Sequence, residues 1–360
     1  MTARILAARR TAVCPRGGAL SALSIHALAA PVIRALLDDA GIAPELVDEV
    51  ILSNAMGGGG NPARLTALAA GLPETVAGLS IDRQCAGGLD AIGLAKALVE
   101  SGQARAVIAG GAESYSRRPL RSHVPVSGDP IPYDRPPFTP FPDRDPEMEE
   151  AAATLALPLD IGRDRQDAWA VASHFKAQAA RDRLASEIVP VAGVVADSFT
   201  RNLTPALAAR AKVIAGPITH ANAAVAADGA AFCLVVAPDL APDAPRITGF
   251  ASVGGVPDMP GLAPVAAIER ALAGRAAADL SVAEVMEAYA VQAIACVEGA
   301  GLDPAIVNPG GGALARGHPV GASGAVLAVR LFHEVTRTGG AGVAAIAAAG
   351  GIGSALVLEI

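Results

Sequence analysis

The chain has 360 residues, 52% of them hydrophobic and 18% charged, with a net charge of −7. This length suggests two or three structural units, and the apolar fraction excludes global disorder. The acidic balance argues against a protein that works mainly on nucleic-acid backbone. Cys14, Cys85, Cys233 and Cys296 are scattered, with no CxxC pair and no Cys/His cluster, which argues against a zinc site or a disulfide framework.

In chain order, MTARILAARRTAV has an apolar stretch too short for a secretory signal, so a soluble cytoplasmic protein is expected. PVIRALLDDAGIAPELVDEVILSNAM (31–56) reads as an amphipathic helix, a turn and a buried strand. Gly57–Gly60 lacks the Lys-Ser/Thr of a phosphate loop and reads as a tight turn. VAGLSIDRQ (76–84) reads as a strand. LDAIGLAKALVESG (89–102) reads as a helix, with Leu89, Ile92, Leu98 and Val99 on its apolar side. RAVIAGGAES (105–114) is a short apolar strand. Nine prolines then fall between Pro119 and Pro146. Proline lacks the backbone donor that helices and central strands use, so this stretch is loop. RDRQDAWAVASHFKAQAARDRLASEI (163–188) is helical again.

The chain then echoes itself. Residues 264–290 repeat the helix–turn–strand grammar of 31–56, and VAAIAAAGGIGS (343–354) repeats the glycine-ended strand of 105–114. Two related βα halves are expected: residues 1–245, carrying an insertion over about 115–215, and residues 246–360. The apolar C-terminal run is broken by glycines and reads as buried strands, not as a membrane span.

Two residues stand out chemically. Cys85, in QCAGGLDA, falls on a strand-to-helix turn. A helix N-terminus favours a thiolate, small neighbours leave room for a reactant, and nearby amides can hold an oxyanion. A free cysteine that packs as a small hydrophobe fits this stretch equally well. His318, in GGALARGHPVGASGA (311–325), is either a turn histidine or the base for Cys85. The pseudo-repeat would aim the two helices that follow Cys85 and His318 at one cleft.

Five motifs in order resemble the thiolase family over essentially the whole chain: DRQCAGGLDA, IAGGAESYS (108–116), ITHANAAVAADGAA (218–231), VMEAYAVQA (285–293) and the His318 segment. The resemblance implies an α/β thiolase fold, two βαβαβαββ halves in five αβαβα layers, with a loop domain inserted in the first. It implies a coenzyme A thioester as substrate, with acyl-CoA and CoA as partners and no permanently bound cofactor or metal. The product is a carbon–carbon bond made or cleaved in a 3-ketoacyl-CoA, and the assembly is a homodimer or homotetramer. Carried over residue by residue, Cys85 is the nucleophile, His318 its activating partner, and the amides of Cys85 and Ala349 the oxyanion donors.

The sequence departs from the family in two places. Ala347 stands where the family has its second cysteine, the base for the Cα proton. Met286 stands where it has the Asn of Asn-Glu-Ala-Phe. Met286, Ala347 and Gly350 are expected to line the substrate path. His220 is the best spare base, with Glu287 in an orienting role. His26, His123, His174 and His333 are expected to be structural or surface residues. The departures raise an alternative, a decarboxylative or altered-acceptor acyltransferase. They also raise a catalytically silent CoA-binding partner subunit.

Overall fold

The structure is a computed structural model and describes residues 2–360. The first half runs β1 (Arg4–Thr11), α1 (Ile25–Ala40), β2 (Glu49–Ser53), α2 (Pro62–Ala70), β3 (Ala77–Ile81), α3 (Gly87–Glu100) and β4 (Ala106–Ser114). A long insertion follows, containing α4 (Met148–Ala156) and α5 (Arg163–Ala179), before β5 (Ala227–Val236) closes the half. The second half runs β6 (Arg246–Gly254), α6 (Ala263–Leu272), β7 (Leu280–Val285), α7 (Ala290–Gly299), α8 (Val320–Thr338), β8 (Ala341–Ala348) and β9 (Ile352–Glu359). The first half is therefore βαβαβαββ. In the second, the third strand has shrunk to a single bridge between Ala283 and Val307.

The strands pair in the order β7-β8-β9-β6-β1-β5-β4-β2-β3. The two halves meet at β1 and β6 through one residue pair, Arg4 with Arg246. Helices α1 and α2 cover the outer face of the first half, where Leu28, Ile33, Leu36 and Ala67 pack on Val50, Leu52 and Phe232. On the outer face of the second half, Ala267 and Ile268 of α6 and Cys296 and Val297 of α7 pack on Ala283, Val285 and Val343. Between the halves lies a central layer of α3 and α8, which gives five layers in all. Leu89, Ile92 and Val99 of α3 and Leu327, Val329 and Leu331 of α8 share one core with Val107 and Cys233 on one side and Ile346 and Leu356 on the other.

Local signals start and stop the helices. Ser24 accepts the Ala27 amide ahead of α1, and Gly41 ends that helix in the left-handed region. Asn61 caps α2 with Pro62 in its first turn. Strand β4 is buried along its whole length, the pattern of a central strand covered on both faces.

The two central helices touch at their first turns. A Cβ on Gly88 would sit 2.7 Å from the Ala325 amide nitrogen, and one on Gly324 would sit 2.5 Å from that of Leu89. Only glycine lets these backbones approach so closely. That crossing sets the distance between the two turns that carry Cys85 and His318.

Candidate active site

Cys85 lies in a short 3₁₀ turn, Gln84–Ala86, between β3 and α3. The turn is tight enough to force Gln84 to φ +50°, a left-handed conformation that non-glycine residues seldom hold. Asp82 helps hold it by accepting the Gln84 amide at 2.8 Å. His318 precedes α8. Gly317, at φ +112°, brings the chain within reach of β5, where a Cβ would meet that of Ala227 at 2.9 Å. The His318 amide donates to the Val225 carbonyl at 2.8 Å, and its own carbonyl accepts from Ala227 at 3.3 Å. His318 thus sits on backbone pinned beside β5, and Cys85 on a turn held by Asp82.

The side chains meet. Cys85 Sγ is 3.2 Å from His318 Nε2. On the far side of the ring, His318 Nδ1 is 2.6 Å from Ser323 Oγ, and that hydroxyl donates to the Pro319 carbonyl at 3.2 Å. With the hydroxyl donating to Pro319, Ser323 accepts from Nδ1–H, the tautomer that leaves Nε2 bare and facing the thiol.

The electrostatics reverse one expectation. The helix N-terminus was expected to favour a thiolate, but burial dominates and pushes the Cys85 thiol up to about 12, with the Glu113 and Asp82 charges adding to it. Burial also pushes His318 down to about 4. Neither charged form is well solvated here, so the resting pair is a neutral thiol hydrogen-bonded to a neutral imidazole.

Glu113, in the buried strand β4, braces the surroundings. It accepts Asn54 Nδ2 at 2.7 Å, the amides of Ala55 and Met56 at 3.2 and 3.3 Å, and Gly321 in the first turn of α8 at 2.9 Å. Burial raises its carboxyl to about 7. Glu113 ties the 54–57 loop to the helix that follows His318.

The pair opens onto a cleft of about 1060 Å³, lined among others by Cys85, His318, Ala347 and Ala349. The glycine run at 57–60 forms part of its wall. The insertion supplies another wall through Phe138, Met148 and Glu149.

The other sequence candidates lie elsewhere. Met286 is buried in the central core, its amide bonded to the Ala345 carbonyl at 2.9 Å, and does not line the cleft. Gly350 is not among the cleft-lining residues; it sits behind Phe138, where a Cβ would lie 2.9 Å from the Phe138 carbonyl oxygen. His220 is exposed and outside the cleft. Glu287 is buried and fully engaged. It accepts Trp169 Nε1 at 3.0 Å, Ser173 Oγ at 2.7 Å, Asn308 Nδ2 at 2.8 Å and the Leu314 amide at 3.2 Å. A carboxylate holding four donors orients its neighbours, here the 313–316 turn that leads to His318. Cys14, Cys233 and Cys296 are buried and unpaired. His174 is buried, His123 stacks on Tyr133, and His333 bonds the Ala8 carbonyl.

Sequence reasoning missed Ser323, Glu113, Tyr289 and Glu149. The first three stand inside motifs already quoted: five residues after His318, in GGAES and in VMEAYAVQA. Nothing in the sequence around Glu149 sets it apart. Among the described residues, no three His, Cys, Asp or Glu side chains form a metal-holding group, and no helix is long and apolar enough to cross a membrane.

A cysteine–histidine pair set on the turns that open the two central helices, at the base of a cleft walled by an inserted segment, is the arrangement of a nucleophilic acyl-transfer enzyme. Comparisons with known proteins carry this further. The thiolase N-terminal domain matches residues 3–239 and the thiolase C-terminal domain residues 241–360. A putative acetyl-CoA C-acetyltransferase of Bacillus subtilis is 39% identical over the full length of both chains. An acetyl-CoA acetyltransferase of Thiocystis violacea is 37% identical, over 99% of this chain and 98% of its own. The crystal structure of the Bacillus anthracis acetyl-CoA acetyltransferase superposes with a TM-score of 0.92 at 31% identity, covering 99% of this chain and 98% of its own. The chain belongs to the thiolase family, has the thiolase fold and is an acyltransferase.

Proposed function

We propose that the protein transfers an acyl group from a coenzyme A thioester to Cys85 and joins it to, or releases it from, the α-carbon of a second thioester. The observation that carries this reading is the 3.2 Å contact between Cys85 Sγ and His318 Nε2 at the cleft. His318 Nε2 takes the thiol proton as Sγ attacks the thioester carbonyl. The amides of Cys85 and Ala349 receive the developing oxyanion, where one such donor is worth about 3–4 kcal/mol. The leaving CoA sulfur then takes the proton back from Nε2, which regenerates a neutral imidazole. Thiolysis runs the same steps in reverse, with CoA attacking the acyl-cysteine.

Intact-protein mass spectrometry after mixing with acetyl-CoA and longer acyl-CoAs tests this. An acyl adduct on the native chain, absent from Cys85→Ala, supports the reading. No adduct with any donor would favour a silent CoA-binding subunit.

A second reading rests on Ala347, which faces the cleft where a base would stand. A malonyl-type acceptor makes its own carbanion by losing carbon dioxide and needs no Cα base. Comparing acetyl-CoA with malonyl-CoA as acceptor separates the two. We further propose a cytoplasmic homodimer or homotetramer. Four unpaired thiols fit a reducing compartment. Strand β3, at one end of the sheet with Leu79 exposed, offers an edge for a second copy. Light scattering tests the assembly state.

A further inference from the structure

The carbon–carbon step needs a group to take the Cα proton, and an alanine methyl at 347 cannot. Four carboxylates line the cleft: Asp82, Asp134, Glu147 and Glu149. Three are committed or outlying. Asp134 pairs with Arg118 at 2.7 Å and Glu147 with Arg135 at 2.9 Å. Asp82 is exposed and holds the Gln84 amide. Glu149 is half-buried at the start of α4 and makes no ion pair among the described residues. It faces the phenol of Tyr289, a half-buried residue on the same cleft as Cys85, His318 and Ala347.

We propose that Glu149 is the base of the carbon–carbon step and that Tyr289 positions it. This rests on the acyl-transfer function proposed above. The Cα–H bond of the acceptor thioester breaks and its proton goes to a Glu149 carboxylate oxygen. The electron pair left on Cα forms the new bond to the acyl carbon held on Cys85. The bond from that carbon to Cys85 Sγ breaks, and the departing sulfur is protonated, the net proton having come from Cα. No oxidant or reductant is needed. Burial and the neighbouring Glu149 both raise the Tyr289 phenol, so it stays protonated and acts only as a donor. The base thus comes from the inserted segment and not from the C-terminal strand pair.

The test uses Glu149→Gln in the full-length protein, with two readouts. Acylation of Cys85 is followed by intact mass, and Cα proton removal by loss of deuterium from methyl-deuterated acetyl-CoA. We expect the acyl adduct to persist in Glu149→Gln while the washout rate falls by about 100- to 10,000-fold. Tyr289→Phe should lower kcat by about 3- to 10-fold with KM unchanged, the cost of one lost hydrogen bond. Adding Ala347→Cys to Glu149→Gln should restore part of the washout. Undiminished washout in Glu149→Gln overturns the proposal. So does loss of acylation in that variant, which would make Glu149 a binding or structural residue. A native protein that acylates but condenses only malonyl-type acceptors overturns it too. A native protein that never acylates removes the acyl-transfer reading itself, a distinct result.

Discussion

Replacing Gly324 by alanine should separate folding from chemistry. The new Cβ would lie 2.5 Å from the Leu89 amide nitrogen and 2.9 Å from the Leu89 Cβ, where ordinary contact is 3.4–4 Å. Both partners sit on helix backbone, so neither can rotate out of the way. The helices must part by about 1 Å, because a close-packed core has no void to take up the difference. Helix propensity gains about 1 kcal/mol from Gly→Ala, and overpacking costs about 1–3 kcal/mol, so the variant folds with a net loss of about 0–2 kcal/mol. The same displacement acts on the 3.2 Å separation of Cys85 and His318, whose turns open these two helices. A 1 Å misplacement of reacting groups costs about 100-fold. Rapid-quench measurement of Cys85 acylation should therefore show a loss of about that size while thermal denaturation shows a folded protein. Acylation within about twofold of the native rate would refute the claim that the glycine crossing sets the catalytic distance.

Three further outcomes are expected. Ser323→Ala leaves the buried His318 Nδ1–H without its acceptor, a cost of about 1–3 kcal/mol, and releases the tautomer; acylation should fall by about 10- to 100-fold, and an unchanged rate would sink the tautomer argument. The neutral resting pair predicts no thiolate absorbance difference between the native chain and Cys85→Ala between about pH 6 and pH 9; a difference with a titration step in that window would show an ion pair instead. Urea titrations against pH should reveal two opposite contributions. His318, lowered from 6.5 to about 4, keeps its unfolded form protonated while the folded form stays neutral, so its contribution is lost as pH falls from about 6.5 to 4. Glu113, raised from 4.5 to about 7, binds its proton more tightly when folded, so its contribution is lost as pH rises from about 4.5 to 7. Each amounts to about 3 kcal/mol at full extent. His318→Gln should flatten the first slope and Glu113→Gln the second; parallel pH curves for variant and native protein would rule the assignment out.

Much of this architecture is written in the sequence as period and punctuation. The apolar spacing of Leu89, Ile92 and Val99 marks the buried side of α3, and the glycine-ended strands at 105–114 and 343–354 give away the two halves. The glycines and the proline around Cys85 and His318 drew the eye to them, and the five ordered motifs that resemble the thiolase family decided between a catalytic pair and a packed cysteine with a turn histidine. What was not legible is what depends on burial and on distant neighbours. The thiol on a helix turn suggested a lowered pKa, yet desolvation outweighs the few exposed helix amides. Met286 occupies the position of a polar family residue, but its side chain turns into the core. His220 looked like a spare base as an unusual residue within a family motif, yet motif membership does not fix which way a side chain points. Glu149 is invisible for the opposite reason, since only the tertiary fold of a proline-rich insertion brings it beside Tyr289.

The two chemical steps draw on different parts of the fold, and this explains how one can be altered without the other. On the proposed function, acylation draws on Cys85, His318 and Ser323, all on the central helix layer and its turns, where glycine crossings and the Glu113 brace leave little freedom. A change there perturbs the core of both halves. On the same proposal, the carbon–carbon step draws on groups at the rim of that layer, at the C-terminal end of β8 and on the insertion. Half-buried side chains that line a cleft, as Ala347 and Glu149 do, are exchanged at smaller cost to stability than those in the packed core because they rest on fewer buried contacts. Ala347 in place of a base is therefore compatible with an intact nucleophile. Compensation is to be sought on the insertion side of the cleft, where Glu149 stands, and not within the packed helices.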